Sequence, residues 1–178
     1  MFLYADEASI SISSYTGRTY APRGKPAILP INSEIGRRLY LASAISPKGD
    51  LFYQVRENPF DAQAITEFLL HLLANVAKKN KLMIIWDNAS IHDCELTRNF
   101  LQTQPKAKRL HLVKQPTYSP QLNADEMVWS YLKCNALKNS CYLVVKDLKS
   151  KIIEVMEEMK LARHRIQQFF HHPDLGFL

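Results

Sequence analysis

Three acids in this chain stand where secondary structure would have to bring them together. Asp6 follows the short apolar run Phe2–Ala5, Asp87 follows the apolar run Leu82–Trp86 at once, and Glu126 lies just beyond the Pro-punctuated segment 115–120. Side chains at the carboxyl ends of neighbouring strands converge at one edge of an α/β sheet, which is where ligands bind. Carboxylates a few ångströms apart raise each other's pKa and stay ionised together only beside a cation. Mg²⁺ or Mn²⁺ meets that need, being a hard ion that takes oxygen ligands and keeps waters. Two such ions about 3.5–4 Å apart activate a water and stabilise the leaving oxygen of a phosphodiester. Each acid also has an ordinary use. Asp6 suits a strand-ending turn, and Asp87-Asn88 suit a helix N-cap near Ser90. Glu126 suits the third position of a capping box opened by Asn123. Spacing alone leaves both readings open for all three.

The elements that must position these acids can be read from the pattern. Phe2–Ala5 reads as a strand opening into a polar site. Residues 9–36 are rich in Ser, Pro, Gly and Thr, with turn signals at Thr16-Gly17 and Arg23-Gly24-Lys25-Pro26, and read as loop with short extended pieces. Arg38–Ile45 and Leu51–Val55 flank Ser46-Pro47-Lys48-Gly49-Asp50 and read as a hairpin. Asn58-Pro59 opens a helix whose stripe is Ala62, Ile65, Phe68, Leu69, Leu72, Leu73 and Val76, with Lys78-Lys79 complementing its dipole. Leu82–Trp86 reads as a strand buried on both faces. A helix over 90–103, a strand at Leu110–Val113 and helices over about 123–138 and 146–170 complete the order. Early antiparallel strands and late βα alternation give a mixed sheet covered by helices.

The composition bounds the rest. The chain has 178 residues, 47% hydrophobic and 22% charged, with 5 Gly and 9 Pro, which suits one globular domain and excludes disordered or collagen-like chains. A net charge of +6 favours a polyanionic partner. Cys94, Cys134 and Cys141 are an odd set without CxxC spacing, so a disulfide framework is not expected and a reducing compartment is. No apolar run approaches the roughly 18 residues of a membrane span, and acids at positions 6 and 7 break any signal-peptide pattern. The expectation is a cytoplasmic protein with no membrane partner.

The words around the acids narrow the chemistry. Ile85-Trp86-Asp87-Asn88-Ala89-Ser90-Ile91-His92 resembles the second-aspartate motif of the D-D-E/D transposases of the mariner superfamily, in its bacterial insertion-sequence branch. Gln115-Pro116-Thr117-Tyr118-Ser119-Pro120-Gln121-Leu122-Asn123-Ala124-Asp125-Glu126, with Trp129 and Lys133 beyond, resembles the third-acid motif: a Pro-Tyr-Ser-Pro loop, a Leu-Asn pair, the acid, and Trp three residues on. Tyr4-Ala5-Asp6-Glu7 and Gly17-Arg18-Thr19-Tyr20-Ala21-Pro22-Arg23-Gly24 resemble the first-aspartate region. The likeness runs from about residue 2 to about residue 140.

The resemblance implies an α/β, RNase H-like catalytic domain with a five-stranded mixed sheet and helices on both faces. It implies a triad of Asp6, Asp87 and Glu126 binding two divalent ions, Mg²⁺ or Mn²⁺. The implied chemistry is hydrolysis of DNA at element ends and transfer of the freed 3′-OH into target DNA. Glu7 and Asp125 are the rival acids. On a strand Glu7 faces away from Asp6, and on a helix Asp125 sits about 100° from Glu126.

Two departures stand out. Ala124-Asp125 replace the Pro and aliphatic residue usual before the third acid. No helix-turn-helix precedes the first strand, so residues 1–178 are expected to form one catalytic domain. The chain would then be half of a split reading frame, a truncated remnant or a piece cut by design, and an upstream helix-turn-helix polypeptide and a homodimer are the protein partners to expect. Asn88, His92 and Asn123 are candidates for supporting the acids or touching DNA, with helix-capping as the alternative for His92. Arg37, Arg38, Lys106, Lys108, Arg109, Lys114 and Lys133 are candidate phosphate contacts, against solvated charged faces. Trp129 reads as core, and His171-His172 as tail rather than a metal site. Another RNase H-like nuclease, of resolvase or repair type, and a non-catalytic DNA-binding derivative are the alternative functions.

Overall fold

A computed structural model describes residues 1–13, 18–28, 34, 36–117 and 119–171. Thr16-Gly17, Tyr118 and His172 lie outside the described residues. Strand β1 (Phe2–Ser11) pairs in parallel with β4 (Leu82–Trp86) and antiparallel with β2 (Arg38–Ile45). β2 forms the expected hairpin with β3 (Leu51–Arg56), and β4 pairs in parallel with β5 (Leu110–Lys114). The five-stranded mixed sheet has the order β3-β2-β1-β4-β5.

β1 runs six residues past the expected end at Ala5. Its pairing with β4 stops at Tyr4↔Ile85, but its pairing with β2 continues from Tyr4↔Ile45 to Ser11↔Arg38. Asp6 is therefore mid-strand toward β2, yet lies just past the last β4 partner. The period-2 alternation of strand side chains then sorts the residues. Tyr4, Ala8 and Ile10 join one apolar core with Leu39 and Leu41, while Leu3 and Ala5 join another with Ala42 and Ala44. Asp6 shares the first face and Glu7 the second.

Helix α1 (Ala62–Asn75) starts later than Asn58-Pro59, because Asp61 is the cap: its Oδ1 accepts the Ala64 N–H at 2.8 Å. Lys78-Lys79 fall beyond its end. The guanidinium of Arg109 takes the C-terminal carbonyls instead, donating to Leu73 at 2.9 Å and Ala77 at 2.8 Å. α1 buries Ile65, Phe68, Leu69 and Leu72 against the Leu3/Ala5 face. β4 is not buried on both faces: Leu82, Ile84 and Trp86 are buried, but Met83 is 36% exposed.

Of the three expected later helices, two break and one changes type along its length. Residues 90–103 divide into a 3-10 turn, Ser90–Asp93, and α2 (Glu95–Thr103), separated by extended Cys94. The helix over 123–138 is α3 (Glu126–Tyr131) followed by a π-turn, Leu132–Ala136. The helix over 146–170 breaks at Ala162 into α4 (Val145–Leu161) and α5 (Arg163–Phe169). Val128, Trp129, Ile152, Met156 and Ile166 pack on the Tyr4/Ile10 face, so the sheet is covered on both sides. The hairpin turn fits under α5: Gly49 has φ +86°, and a Cβ there would stand 2.5 Å from the Arg163 carbonyl oxygen. Among the described residues no helix is long and apolar enough to cross a membrane.

Candidate active site

Asp6, Asp87 and Glu126 line one cavity of about 330 Å³, together with Asn88, Gln115 and Asn123. Asp6 is supplied by β1 on the α3 side, where the indole of Trp129 donates to its Oδ2 at 2.9 Å. Burial first, and the Glu126 charge second, push the Asp6 carboxyl up to about 8, against the lowering effect of the Trp129 hydrogen bond. Asp87 is the first residue beyond β4. Its Oδ1 accepts the Ala89 N–H at 2.9 Å, so it supports the turn into Ser90–Asp93, as a cap would, while its side chain stays half exposed.

Glu126 opens α3. The capping box fails because the Asn123 N–H, which the Glu would have to accept, is already given to the Pro120 carbonyl at 2.9 Å. The Glu126 carboxyl is instead raised by desolvation, offset by the charge of Lys133 and a hydrogen bond with Asp6. Asn123 stitches the start of α3 to β1: its Nδ2 donates to the Ala5 carbonyl at 3.0 Å and its Oδ1 accepts the Asp125 N–H at 3.1 Å. Asn88 does the same across β4 and β5, donating to the Gln115 carbonyl at 2.6 Å.

The rival acids occupy other places. Glu7, on the opposite face from Asp6, accepts the Trp86 indole N–H on Oε2 at 3.0 Å, and its Oε1 meets His92 Nε2 at 2.9 Å. Asp125 is fully buried. Its Oδ2 accepts the Ser43 hydroxyl at 2.6 Å, its Oδ1 has no hydrogen-bond partner among the described residues, and burial holds its pKa well above the usual carboxylate range. Neither the burial of Asp125 nor the reach of Glu7 to His92 is visible in local spacing. The hint for Glu7 was the strand parity that turned it away from Asp6.

Residues 1–149 match the family described as DDE superfamily endonuclease. The chain belongs to that family. The match spans both quoted acid motifs and the first-aspartate region. The chain is 27% identical over 156 residues to the insertion element IS630 uncharacterized 39 kDa protein of Shigella sonnei, covering 86% of this chain and 44% of that protein. It is 24% identical over 164 residues to the transposable element Tc3 transposase of Caenorhabditis elegans, covering 88% of this chain and 49% of that one. The chain thus spans about half the length of the curated relatives it matches. Its fold is shared with the catalytic domain of Mos1 mariner transposase (TM-score 0.58, 12% identity, 98% of this chain and 80% of that one). It is shared also with a mariner Mos1 paired end complex with Mg (TM-score 0.68, 16% identity, 96% and 53%). The RNase H-like expectation and the mariner/insertion-sequence branch both hold.

Among the described residues of this DDE endonuclease, no three acid, His or Cys side chains already converge on one point as a closed metal cage. The donor set nevertheless fits a hard divalent ion. All three cavity acids offer carboxylate oxygens, and burial together with the Glu126 charge raises the Asp6 carboxyl to about 8, a cost that a divalent ion beside it would offset. The seven candidate phosphate-contact cations differ in their partners. Arg109 is committed to the end of α1. Lys114 pairs with Asp93 at 2.6 Å, Arg37 reaches Glu34 and Glu57 at 3.6 and 3.7 Å, and Arg38 donates to the Ser9 hydroxyl at 3.1 Å. Lys106 and Lys108 are exposed beside β5, and the charge of Lys133 is felt at Glu126. None of the seven lines the cavity. His171 is exposed in the last described turn.

Proposed function

We propose that residues 1–178 act as the single catalytic domain of a DNA transposase, cutting DNA at element ends and joining the freed 3′-OH to target DNA. One observation carries this reading: Asp6, Asp87 and Glu126, drawn from three elements, open into one cavity. In this reading Asp6 and Asp87 hold the metals and Glu126 completes the second site. Mg²⁺ or Mn²⁺, two ions, would supply an activated water and neutralise charge at the phosphodiester. Trp129 keeps Asp6 oriented, and Asn123 and Asn88 fix the cavity wall, so the chain contributes positioning without a covalent intermediate. Lys106, Lys108 and Lys133 are the cations left to meet DNA phosphates. The partners are DNA, a polypeptide segment carrying the helix-turn-helix that reads element ends, and a second copy of the chain.

The test is Mn²⁺-dependent nicking of supercoiled plasmid. Asp6→Asn, Asp87→Asn and Glu126→Gln each abolish it, whereas Asp125→Asn retains most of it. Full activity in any of the first three removes that residue from the metal site.

A further inference from the structure

His92 lies with its side chain 4% exposed, wedged between the Trp86 ring (centroids 4.2 Å apart), Glu7 and Asp87. Its two ring nitrogens face opposite ways. Nδ1 stands 3.3 Å from the Asp87 carbonyl oxygen and 3.0 Å from Asp87 Oδ1, while Nε2 stands 2.9 Å from Glu7 Oε1. A carbonyl oxygen only accepts, so Nδ1 carries a hydrogen and donates toward Asp87. Glu7 in turn is held by the Trp86 indole N–H. The order Trp86, Glu7, His92, Asp87 therefore runs from an interior strand of the sheet, through a partly buried carboxylate and a buried imidazole, to a half-exposed carboxylate at the cavity.

That order has a physical purpose only for its last member. Asp87 sits on a turn with its side chain half in solvent, and the Ala89 N–H grips a single oxygen. A metal ligand needs its carboxylate fixed before the ion arrives, and hydrogen-bonding partners behind the ligand provide that. We propose that Glu7 and His92 are positioning residues that lock the Asp87 carboxylate for divalent-ion binding. Glu7 is then no spare acid: from the far face of the sheet it fixes the His92 ring, and His92 fixes Asp87. The proposal rests on the reading of Asp87 as a metal ligand.

Two near-isosteric variants separate the two ends of the imidazole. In His92→Asn the side-chain amide takes the place of Nδ1 and keeps a donor toward Asp87. In His92→Gln the amide reaches the place of Nε2 and keeps only the Glu7 contact. Mn²⁺ affinity is measured by electron paramagnetic resonance on the metal-free protein, with melting curves and DNA affinity in Ca²⁺ alongside. The expected result is a roughly 10- to 100-fold loss of Mn²⁺ affinity in His92→Gln, a much smaller loss in His92→Asn, and unchanged DNA affinity in both. Equal Mn²⁺ affinity in His92→Gln and wild type, or equal losses in both variants, overturns the positioning role. Asp87→Asn serves as the reference. If it binds Mn²⁺ like wild type, the metal-ligand reading itself falls, which is a different failure. Should His92→Gln not fold, nitrogen NMR of the labelled wild-type imidazole decides instead: Nδ1 must shift on Mg²⁺ addition and stay still in Asp87→Asn. A static Nδ1 in wild type overturns the proposal.

Discussion

The Trp129 indole and the Asp6 carboxylate, 123 positions apart in the chain, meet at 2.9 Å, so the helix that carries Glu126 also grips the first aspartate. One turn of α3 thereby sets the relation between two cavity acids. Trp129→Phe keeps the buried ring and removes only the N–H. Its expected effect is a roughly tenfold weaker Mn²⁺ requirement curve for nicking, in line with losing a hydrogen bond to a charged group worth about 1.5 kcal/mol. A Mn²⁺ titration with metal-free melts checks it, and an unchanged curve shows the indole to be packing alone.

The metal-free protein is expected to lose stability as pH rises through the neutral range. Burial holds Asp6 up at about 8, against an ordinary value of 3.8, and holds Asp125 well above the same value. Between those limits the unfolded chain gives up protons that the folded chain keeps, so unfolding is favoured as pH rises. Each such group costs up to about 1.4 kcal/mol per pH unit within its window. Urea melts in chelator at pH 5 and pH 8 measure the loss, and Asp6→Asn should flatten it. An equal pH slope in wild type and Asp6→Asn would mean that Asp6 ionises normally.

Metal addition should reverse the strain. Mn²⁺ at a hundredfold excess over its Kd stabilises the folded state by about 2.7 kcal/mol. Asp87→Asn keeps an acceptor for Ala89 N–H, so its metal-free melt stays close to wild type, but the Mn²⁺-induced rise disappears. An undiminished rise would leave Asp87 as a turn cap and nothing more.

Arg109 and its neighbours should part company. Arg109→Ala strips the C-terminal carbonyls of α1 of their donors and is expected to cost about 1–3 kcal/mol of stability, with no change in the salt dependence of DNA binding. Lys106→Ala and Lys108→Ala leave the melt alone. Each lowers the logarithmic salt slope by about 0.9 if it contacts duplex phosphate. Fluorescence anisotropy across a salt series distinguishes the two classes.

How far the sequence spoke depends on how local the signal was. The β2–β3 hairpin, the α1 stripe and the three cavity acids are carried by residues adjacent in the chain or at helical spacing, and they were legible. The extension of β1 was not, because Asp6-Glu7-Ala8-Ser9 looks like a loop. It stays a strand because β2 pairs with every residue of it, and the side chains of Asp6, Glu7 and Ser9 meet Trp129, Trp86 with His92, and Arg38. The breaks at Cys94 and Ala162 carry neither Gly nor Pro, so the sequence holds no local signal for them. His92 and Asp125 acquire their surroundings from residues 82 to 85 positions away, Ser43 and Glu7, which no local window spans.

The alternation along β1 has one more consequence, for the fidelity of folding. Asp6 and Glu7 are neighbours in sequence and serve opposite faces of the sheet, so the register of β1 against β2 decides which carboxylate reaches the cavity. A slip of one residue would carry Glu7 into the cavity and bury Asp6 against Trp86 and His92, reversing every side chain of the strand at once. The slipped chain would still hold the same acids, yet would lose the indole grip on Asp6 and the imidazole support of Asp87 together. Only the native register therefore brings Asp6, and not Glu7, into the cavity beside Asp87 and Glu126.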